Sequence, residues 1–172
     1  MISPFFIRPI SQLGFYDPFD FVTGASQEEF DRLRGVEIKH GRISMLAVVG
    51  YLTTAAGVRF QGAEDYDAGF KAVKQLFDSD EGKNVFAQTI GFIAVAEMCN
   101  RRGVDGTPGE FPGDFRNGFI DFGWDNQTPE WQERKRAIEL NNGRAAMMGI
   151  LGLMVHEQLH VSILPGGVLP GN

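Results

Sequence analysis

The chain has 172 residues, room for one compact domain, and a formal net charge of −6 from 16 Lys plus Arg against 22 Asp plus Glu. That acidity excludes a nucleic-acid surface, which needs clustered positive charge, and the single cysteine, Cys99, excludes an intramolecular disulfide and a cysteine-rich metal site. The mean hydropathy of −0.14 fits a soluble chain, but it averages over apolar residues gathered into three blocks.

In chain order, the segment from Met1 to Arg8 carries one positive charge and no long apolar run. No secretory or plastid leader is evident, so the chain either stays where it is made or begins as a mature protein. The first block predicts a helix over about 26–60, opened by the capping box of Ser26 and Glu29, with Glu28 and Arg32 placed to pair at i and i+4. It is free of charge from Ile43 to Val58. The second predicts a helix over about 84–102, uncharged from Val85 to Ala96. The third predicts a helix over about 128–160, entered by Thr128 and Pro129 as N-cap and first helical residue and uncharged from Ala145 to Val155. None of these stretches reaches the roughly 18–20 apolar residues of an ordinary membrane span. Hydropathy alone therefore fits three core helices of a soluble bundle.

An internal repeat opens another reading. Glu37, Gly41, Arg42 and Met45 recur as Glu139, Gly143, Arg144 and Met147 at an offset of 102, and Arg32, Arg34 and Gly50 recur as Arg134, Arg136 and Gly152. The first and third helices are copies, which suggests a pseudo-two-fold crossed pair. Glu37 and Arg42 are five residues apart, about 500° around the helix, so they do not stack on one helix. Across a two-fold crossing Glu37 meets Arg144 and Glu139 meets Arg42, and paired charges are tolerable in a membrane where single ones are not. The bilayer-compatible length then extends back to each Glu, over Glu37 to Phe60 and Glu139 to Leu164, and Gly41, Gly50, Gly143, Gly149 and Gly152 permit close backbone approach. Arg32, Arg34, Lys39, Arg101, Arg102, Arg134, Lys135 and Arg136 fall on one side of such a bundle, opposite the acidic loop Glu64-Asp65-Tyr66-Asp67.

Glu37-x-x-His40 suits a di-iron bundle, but the second copy, Glu139-x-x-Asn142, has an amide in place of imidazole. The spacing also suits magnesium in a flat macrocycle. There the ring fills four positions and the protein supplies one hard oxygen or imidazole donor per metal, with Glu37, His40, Glu139 and Asn142 as four separate single ligands. The cross-paired Arg42 and Arg144 would then supply the counter-charge each Glu needs.

Glu-Ile-Lys-His-Gly-Arg at 37–42 and Glu-Leu-Asn-Asn-Gly-Arg at 139–144 resemble the first and third transmembrane helices of the chlorophyll-binding light-harvesting antenna family. Phe30 to Arg34, Phe115 to Trp124 and Met154 to Leu159 are similar to its fucoxanthin–chlorophyll a/c branch in diatoms and related algae. The resemblance runs from about Leu13 to Gly167. It implies an all-α membrane protein of three transmembrane helices with short amphipathic pieces, one light-harvesting domain over 1–172, in the plastid thylakoid membrane with a stromal N-terminus and a lumenal C-terminus. It implies chlorophyll a, chlorophyll c and fucoxanthin as ligands, with diadinoxanthin a further candidate carotenoid, and lipid. Glu37, His40, Glu139 and Asn142 match the family's magnesium ligands, and His156 lies 14 residues after Asn142, where a further ligand stands. His156 also reads as an interfacial helix-end residue, as does His160. Gln88 and Glu97 of the middle helix match ligands on its two flanks. Gln88 alone reads equally as an interfacial amide and Glu97 as a partner of Arg101. Met45, Leu46, Met147 and Met148 would line carotenoid grooves or simply pack, and the turns at Asp17-Pro18 and Asp121-Phe122-Gly123 would meet carotenoid ends.

The implied function is physical: pigments held at fixed spacing, excitation passed to other antenna subunits and a photosystem, and no bond made or broken. Two rivals stand beside it. One is a photoprotective relative of the same fold, for which Glu64, Asp65 and Asp67 would serve as acid sensors. The other is a soluble helical di-iron enzyme.

Overall fold

The computed structural model describes residues 17–100, 111–116 and 123–162. The helices are α1 (Gln27–Ala55), α2 (Lys71–Asp78), α3 (Asp80–Asn100) and α4 (Pro129–Gln158), with a 3-10 turn at Trp124–Asn126, and there is no strand among the described residues. The end of the second expected helix, with Arg101 and Arg102, and the residues Asp121 and Leu164 lie outside the described residues.

The termini of α1 follow from its caps. Ser26 Oγ accepts the Glu29 N–H at 3.2 Å while Glu29 Oε2 accepts the Ser26 N–H at 2.9 Å, so the capping box forms. The pair expected between Glu28 and Arg32 does not form. Both side chains are exposed, where an ion pair gains little over water. The helix ends five residues before the expected 60, because Gly57 takes the left-handed conformation at φ 85°. The Gly57 and Val58 N–H groups then fold back onto the carbonyls of Thr54 and Thr53, at 3.1 and 3.2 Å, closing a Schellman turn. Arg59 fastens this end by donating to the Thr54 carbonyl at 2.6 Å and the Tyr66 carbonyl at 3.2 Å. The end of α4 repeats the device, with the His160 and Val161 N–H groups on the carbonyls of Glu157 and His156, and His160 in the left-handed position at φ 56°.

α2 was anticipated only as an unlocated amphipathic piece. Its apolar stripe is Val73, Leu76 and Phe77, with Lys71, Lys74 and Gln75 elsewhere around the helix. Its N-cap residue, Phe70, offers no capping side chain. Glu157 of α4, 5 % exposed, supplies the acceptor instead: its carboxylate takes the N–H groups of Phe70 at 3.0 Å and Lys71 at 3.1 Å. A negative charge thus sits at the positive end of α2. A single residue, Ser79, separates α2 from α3. Its hydroxyl accepts the Gly82 N–H at 3.0 Å and starts α3 at 80 rather than 84. The corner admits no side chain at Gly82, where a Cβ would lie 2.5 Å from the Leu76 carbonyl oxygen.

α1 packs on α4, and α2 on α3. At about 1.5 Å per residue, α1 and α4 are about 44 and 45 Å long. Even so, among the described residues no helix is long and apolar enough to cross a membrane by hydropathy alone, because charged residues occupy the first halves of α1 and α4. The apolar side chains instead face outward. Leu46 is 75 % exposed, its repeat partner Met148 71 % and Phe92 of α3 75 %, while the buried apolar set among the described residues is Phe30, Tyr51, Ala68 and Leu153. A water-soluble bundle of this composition would turn those side chains inward.

Candidate functional site

The centre of the molecule is the point where α1 crosses α4. A Cβ built on Gly41 would stand 2.9 Å from Gly143 Cα, and one built on Gly143 would stand 2.9 Å from Gly41 Cα. The two backbones touch, and the contact pairs each residue with its own repeat. Gly50 and Gly149 make no such approach: Gly50 has nothing within 4 Å of a built Cβ, and Gly149 meets only Val48 at 3.9 Å.

Both expected cross-pairs flank the contact. Arg42 Nε donates to Glu139 Oε1 at 2.6 Å, and Arg144 Nε donates to Glu37 Oε1 at 2.6 Å. The charges are neutralised between helices, as the five-residue spacing requires. A third guanidinium joins one side, Arg34 Nη1 donating to Glu37 Oε2 at 2.7 Å. A roof covers the other. The Arg42 guanidinium lies over the Phe115 ring at 5.7 Å, and Gly113, at φ 87°, is pressed so close to Ile38 that a Cβ would sit 3.0 Å from its Cγ2. That roof is anchored by Arg116, which forks onto Asp114 at 2.8 and 2.9 Å and reaches Asp125 at 2.7 Å. The hydrogen bonds to Asp114 push the Arg116 guanidinium above its ordinary value.

The expected donors lie beside this crossing, two of them, His40 and Asn142, exposed. His40 Nδ1 lies 2.8 Å from the Val36 carbonyl oxygen. Its Nδ1–H therefore donates there and leaves the lone pair on Nε2, the form in which an exposed imidazole ligates a metal. Asn142, at the matching place on α4, is exposed; Glu37 and Glu139 are half-buried. His156 is half-buried, and its Nδ1 is buried without a hydrogen-bond partner. Among the described residues no three His, Cys, Asp or Glu side chains gather round one point. The di-iron reading fails on this, since its metals need shared carboxylates. Separate single donors fit magnesium already held by a flat ring.

The remaining expected ligands are placed less tidily. Gln88 is exposed on α3. Glu97 is bound across to α1, its Oε2 2.5 Å from Lys39 Nζ, a contact that sequence spacing did not suggest; Arg101, its other expected partner, lies outside the described residues. Asp17 is committed to its own turn. Its carboxylate accepts the N–H groups of Phe21, Val22 and Thr23 at 3.0, 2.8 and 2.9 Å and the Thr23 hydroxyl at 3.1 Å. A carotenoid end at this turn would meet the backbone that Asp17 shapes. The Val22 N–H, with those of Thr23 and Phe21, holds the Asp17 carboxyl below its ordinary 3.8. The turn's extra stability is thus present above pH 3.8 and disappears as pH falls through the lower folded value. Amide exchange at Phe21 to Thr23, corrected for intrinsic rates, is expected to lose protection in that acid range, and Asp17→Asn is expected to lack the transition. Unchanged protection in the wild type would contradict this account.

Glu157, the roof over Arg42 and the Arg34 contact were missed from sequence. Arg34 and Glu37 carried a readable signal, three residues apart on one helix face; Glu157 carried none.

The comparisons with known proteins bear on this geometry. Residues 9–158 match the family model described as chlorophyll A-B binding protein. The chain is 57 % identical over 155 residues to fucoxanthin-chlorophyll a-c binding protein D of Phaeodactylum tricornutum, covering 89 % of this chain and 78 % of the relative. It is 54 % identical over 161 residues to protein F of the same organism, with the same coverage. It is 49 % identical over 157 residues to the fucoxanthin-chlorophyll a-c binding protein of Trieres chinensis, covering 88 % of this chain and 77 % of the relative. All three relatives are named as chloroplastic. With a family match over most of its length and a duplicated, ion-paired helix crossing at its centre, the chain belongs to the chlorophyll A-B binding protein family.

Proposed function

We propose that this protein is a light-harvesting antenna that binds chlorophyll a, chlorophyll c and fucoxanthin, with diadinoxanthin and lipid as further candidate ligands. It passes excitation to neighbouring antenna subunits and a photosystem without making or breaking bonds. The observation that carries the reading is the crossing itself: two helices clamped at Gly41 and Gly143 by reciprocal ion pairs, with Glu37, His40, Glu139 and Asn142 offered singly beside outward apolar faces.

Chlorophyll would supply the light absorption when bound, and the chain would supply single donors to its magnesium and the groups that support them. Glu37 and Glu139 serve as anionic donors neutralised by Arg144 and Arg42. His40 serves through Nε2, Asn142 through its amide oxygen, and His156 and Gln88 as further donors. Glu97 serves only if it shares its carboxylate with Lys39. The chain acts as one unit in the thylakoid membrane, with α1, α3 and α4 as spans and α2 lying at the surface. Once Glu37 and Glu139 are paired, the burial cost of their charges falls, and the apolar outer faces then favour a membrane. The basic starts of α1 and α4 favour a stromal N-terminus and a lumenal C-terminus.

The native protein is expected to require detergent for extraction and to show the absorption bands of chlorophyll a, chlorophyll c and a carotenoid. His40→Ala, refolded with those pigments, is expected to lose one chlorophyll per chain with helix content unchanged. A colourless native protein, or a His40→Ala complex with wild-type chlorophyll content, would overturn the reading for the protein or for that ligand respectively.

A further inference from the structure

The two copies carry the same Arg-x-x-Glu spacing, Arg34 to Glu37 and Arg136 to Glu139, yet the fold uses it once. On α1, Arg34 Nη1 donates to Glu37 Oε2 at 2.7 Å while Arg144 Nε donates to Oε1 at 2.6 Å. Both oxygens of Glu37 are thereby shared with guanidinium groups. On α4, Arg136 turns away and lies over the Phe111 ring, 4.8 Å from its centroid. Phe111 also lies 5.7 Å from the anchored Arg116 guanidinium and 5.8 Å from the Trp124 ring. Glu139 is left with Arg42 on Oε1 and no partner on Oε2 among the described residues. Counting formal charges, Glu37 with Arg34 and Arg144 sums to +1, and Glu139 with Arg42 sums to zero.

We propose that Arg34 tunes the chlorophyll held by Glu37, loosening its axial bond and displacing its absorption band relative to the site at Glu139. The inference rests on the reading of Glu37 and Glu139 as axial donors. An N–H donor on each carboxylate oxygen draws away the electron density that a metal would share, so Glu37 is the weaker Lewis base of an otherwise matched pair. The extra positive charge also acts on the transition energy of a ring beside it, the more so where that ring excludes water. The duplication thus yields two sites of unequal energy from one motif, because Phe111 captures one arginine.

The test compares Arg34→Gln, Arg136→Gln and the paired removal Glu37→Ala/Arg144→Ala, each refolded with pigments. Pigment content, low-temperature absorption and the rate of chlorophyll loss in detergent are measured. Arg34→Gln is expected to displace one chlorophyll a band and to slow loss of one chlorophyll by about two- to five-fold, the range for a partly exposed ion pair. Arg136→Gln is expected to do neither. Adding Arg34→Gln to the paired removal is expected to change nothing more, since the affected chlorophyll is already gone. If the paired removal costs one chlorophyll but Arg34→Gln leaves band and rate at wild-type values, the tuning role is overturned and the ligand reading stands. If the paired removal keeps every chlorophyll, Glu37 is not a ligand and the ligand reading falls. An Arg136→Gln effect equal to that of Arg34→Gln would overturn the asymmetry. Should Arg34→Gln refold poorly, Arg34→Lys, which keeps the charge but not the forked donor, is expected to give a smaller displacement of the same sign, and none would overturn the proposal.

Discussion

Arg42→Ala is expected to destabilise the folded complex by about 2–3 kcal/mol, and Arg144→Ala by about 1 kcal/mol or less. The two arginines are repeat partners with matched 2.6 Å bonds, so symmetry alone predicts equal losses. The difference lies in what each leaves behind. Removing Arg144 leaves Glu37 paired with Arg34 at 2.7 Å. Removing Arg42 strips Glu139 of the partner it has among the described residues, leaves a carboxylate about one-third exposed in an otherwise apolar crossing, and takes away the cation that lies over Phe115. Thermal denaturation of refolded complexes, followed by far-ultraviolet circular dichroism, measures both losses. Arg34→Gln combined with Arg144→Ala is expected to be as harmful as Arg42→Ala, since it strips Glu37 in the same way. Adding Glu139→Ala to Arg42→Ala is expected to recover part of the loss, because a missing pair costs less than half of one. Equal melting of the two single variants, with Arg34→Gln silent in the Arg144→Ala background, would contradict the backup role of Arg34.

The same crossing shows where reasoning from sequence reaches and where it stops. The offset of 102 made the cross-pairs legible, because five residues is the wrong spacing for contact on one helix and two copies supply the complementary charges. The caps of α1 and α4 were legible for a similar reason: Ser26 with Glu29, and Thr128 with Pro129, are local patterns with local consequences. Gly57 was visible as well, but the expected boundary ran past it because the apolar run continued to Val58, and the left-handed turn won. What stayed hidden was non-local. Nothing in the order of residues says that Glu157 will cap a helix starting 86 positions earlier, or that Lys39 will take Glu97 from 58 positions away. Periodicity missed α2 because eight residues give the pattern barely two turns. The charges of α1 and α4 call for more than hydropathy. Their charges count against a membrane when taken one by one, and the penalty falls only when the pairs are seen.

Those pairs hold only while the backbones touch, so a single methyl group at the crossing is expected to disturb both of them at once. Gly41→Ala and Gly143→Ala are each expected to cost about 1–3 kcal/mol, the range for overpacking a tight contact. The obstacle in each case is the partner's Cα at 2.9 Å, which has no rotamer to escape into and moves only with its whole helix. Separating the helices by even a few tenths of an ångström lengthens both 2.6 Å ion pairs together, so the strain at the glycines and the loss at the charges add. Gly50→Ala is the control: it lies on the same helix, a Cβ there meets nothing within 4 Å, and alanine is the better helix former. It is expected to leave the melting temperature unchanged or slightly raised. Chlorophyll content should follow the same order, falling in Gly41→Ala and Gly143→Ala and holding in Gly50→Ala, because the proposed donors keep their spacing only while the crossing stays closed. Wild-type melting and pigment content in Gly41→Ala would mean that the two helices do not meet backbone to backbone, and the reciprocal pairing of Glu37 with Arg144 and Glu139 with Arg42 would lose its geometric basis.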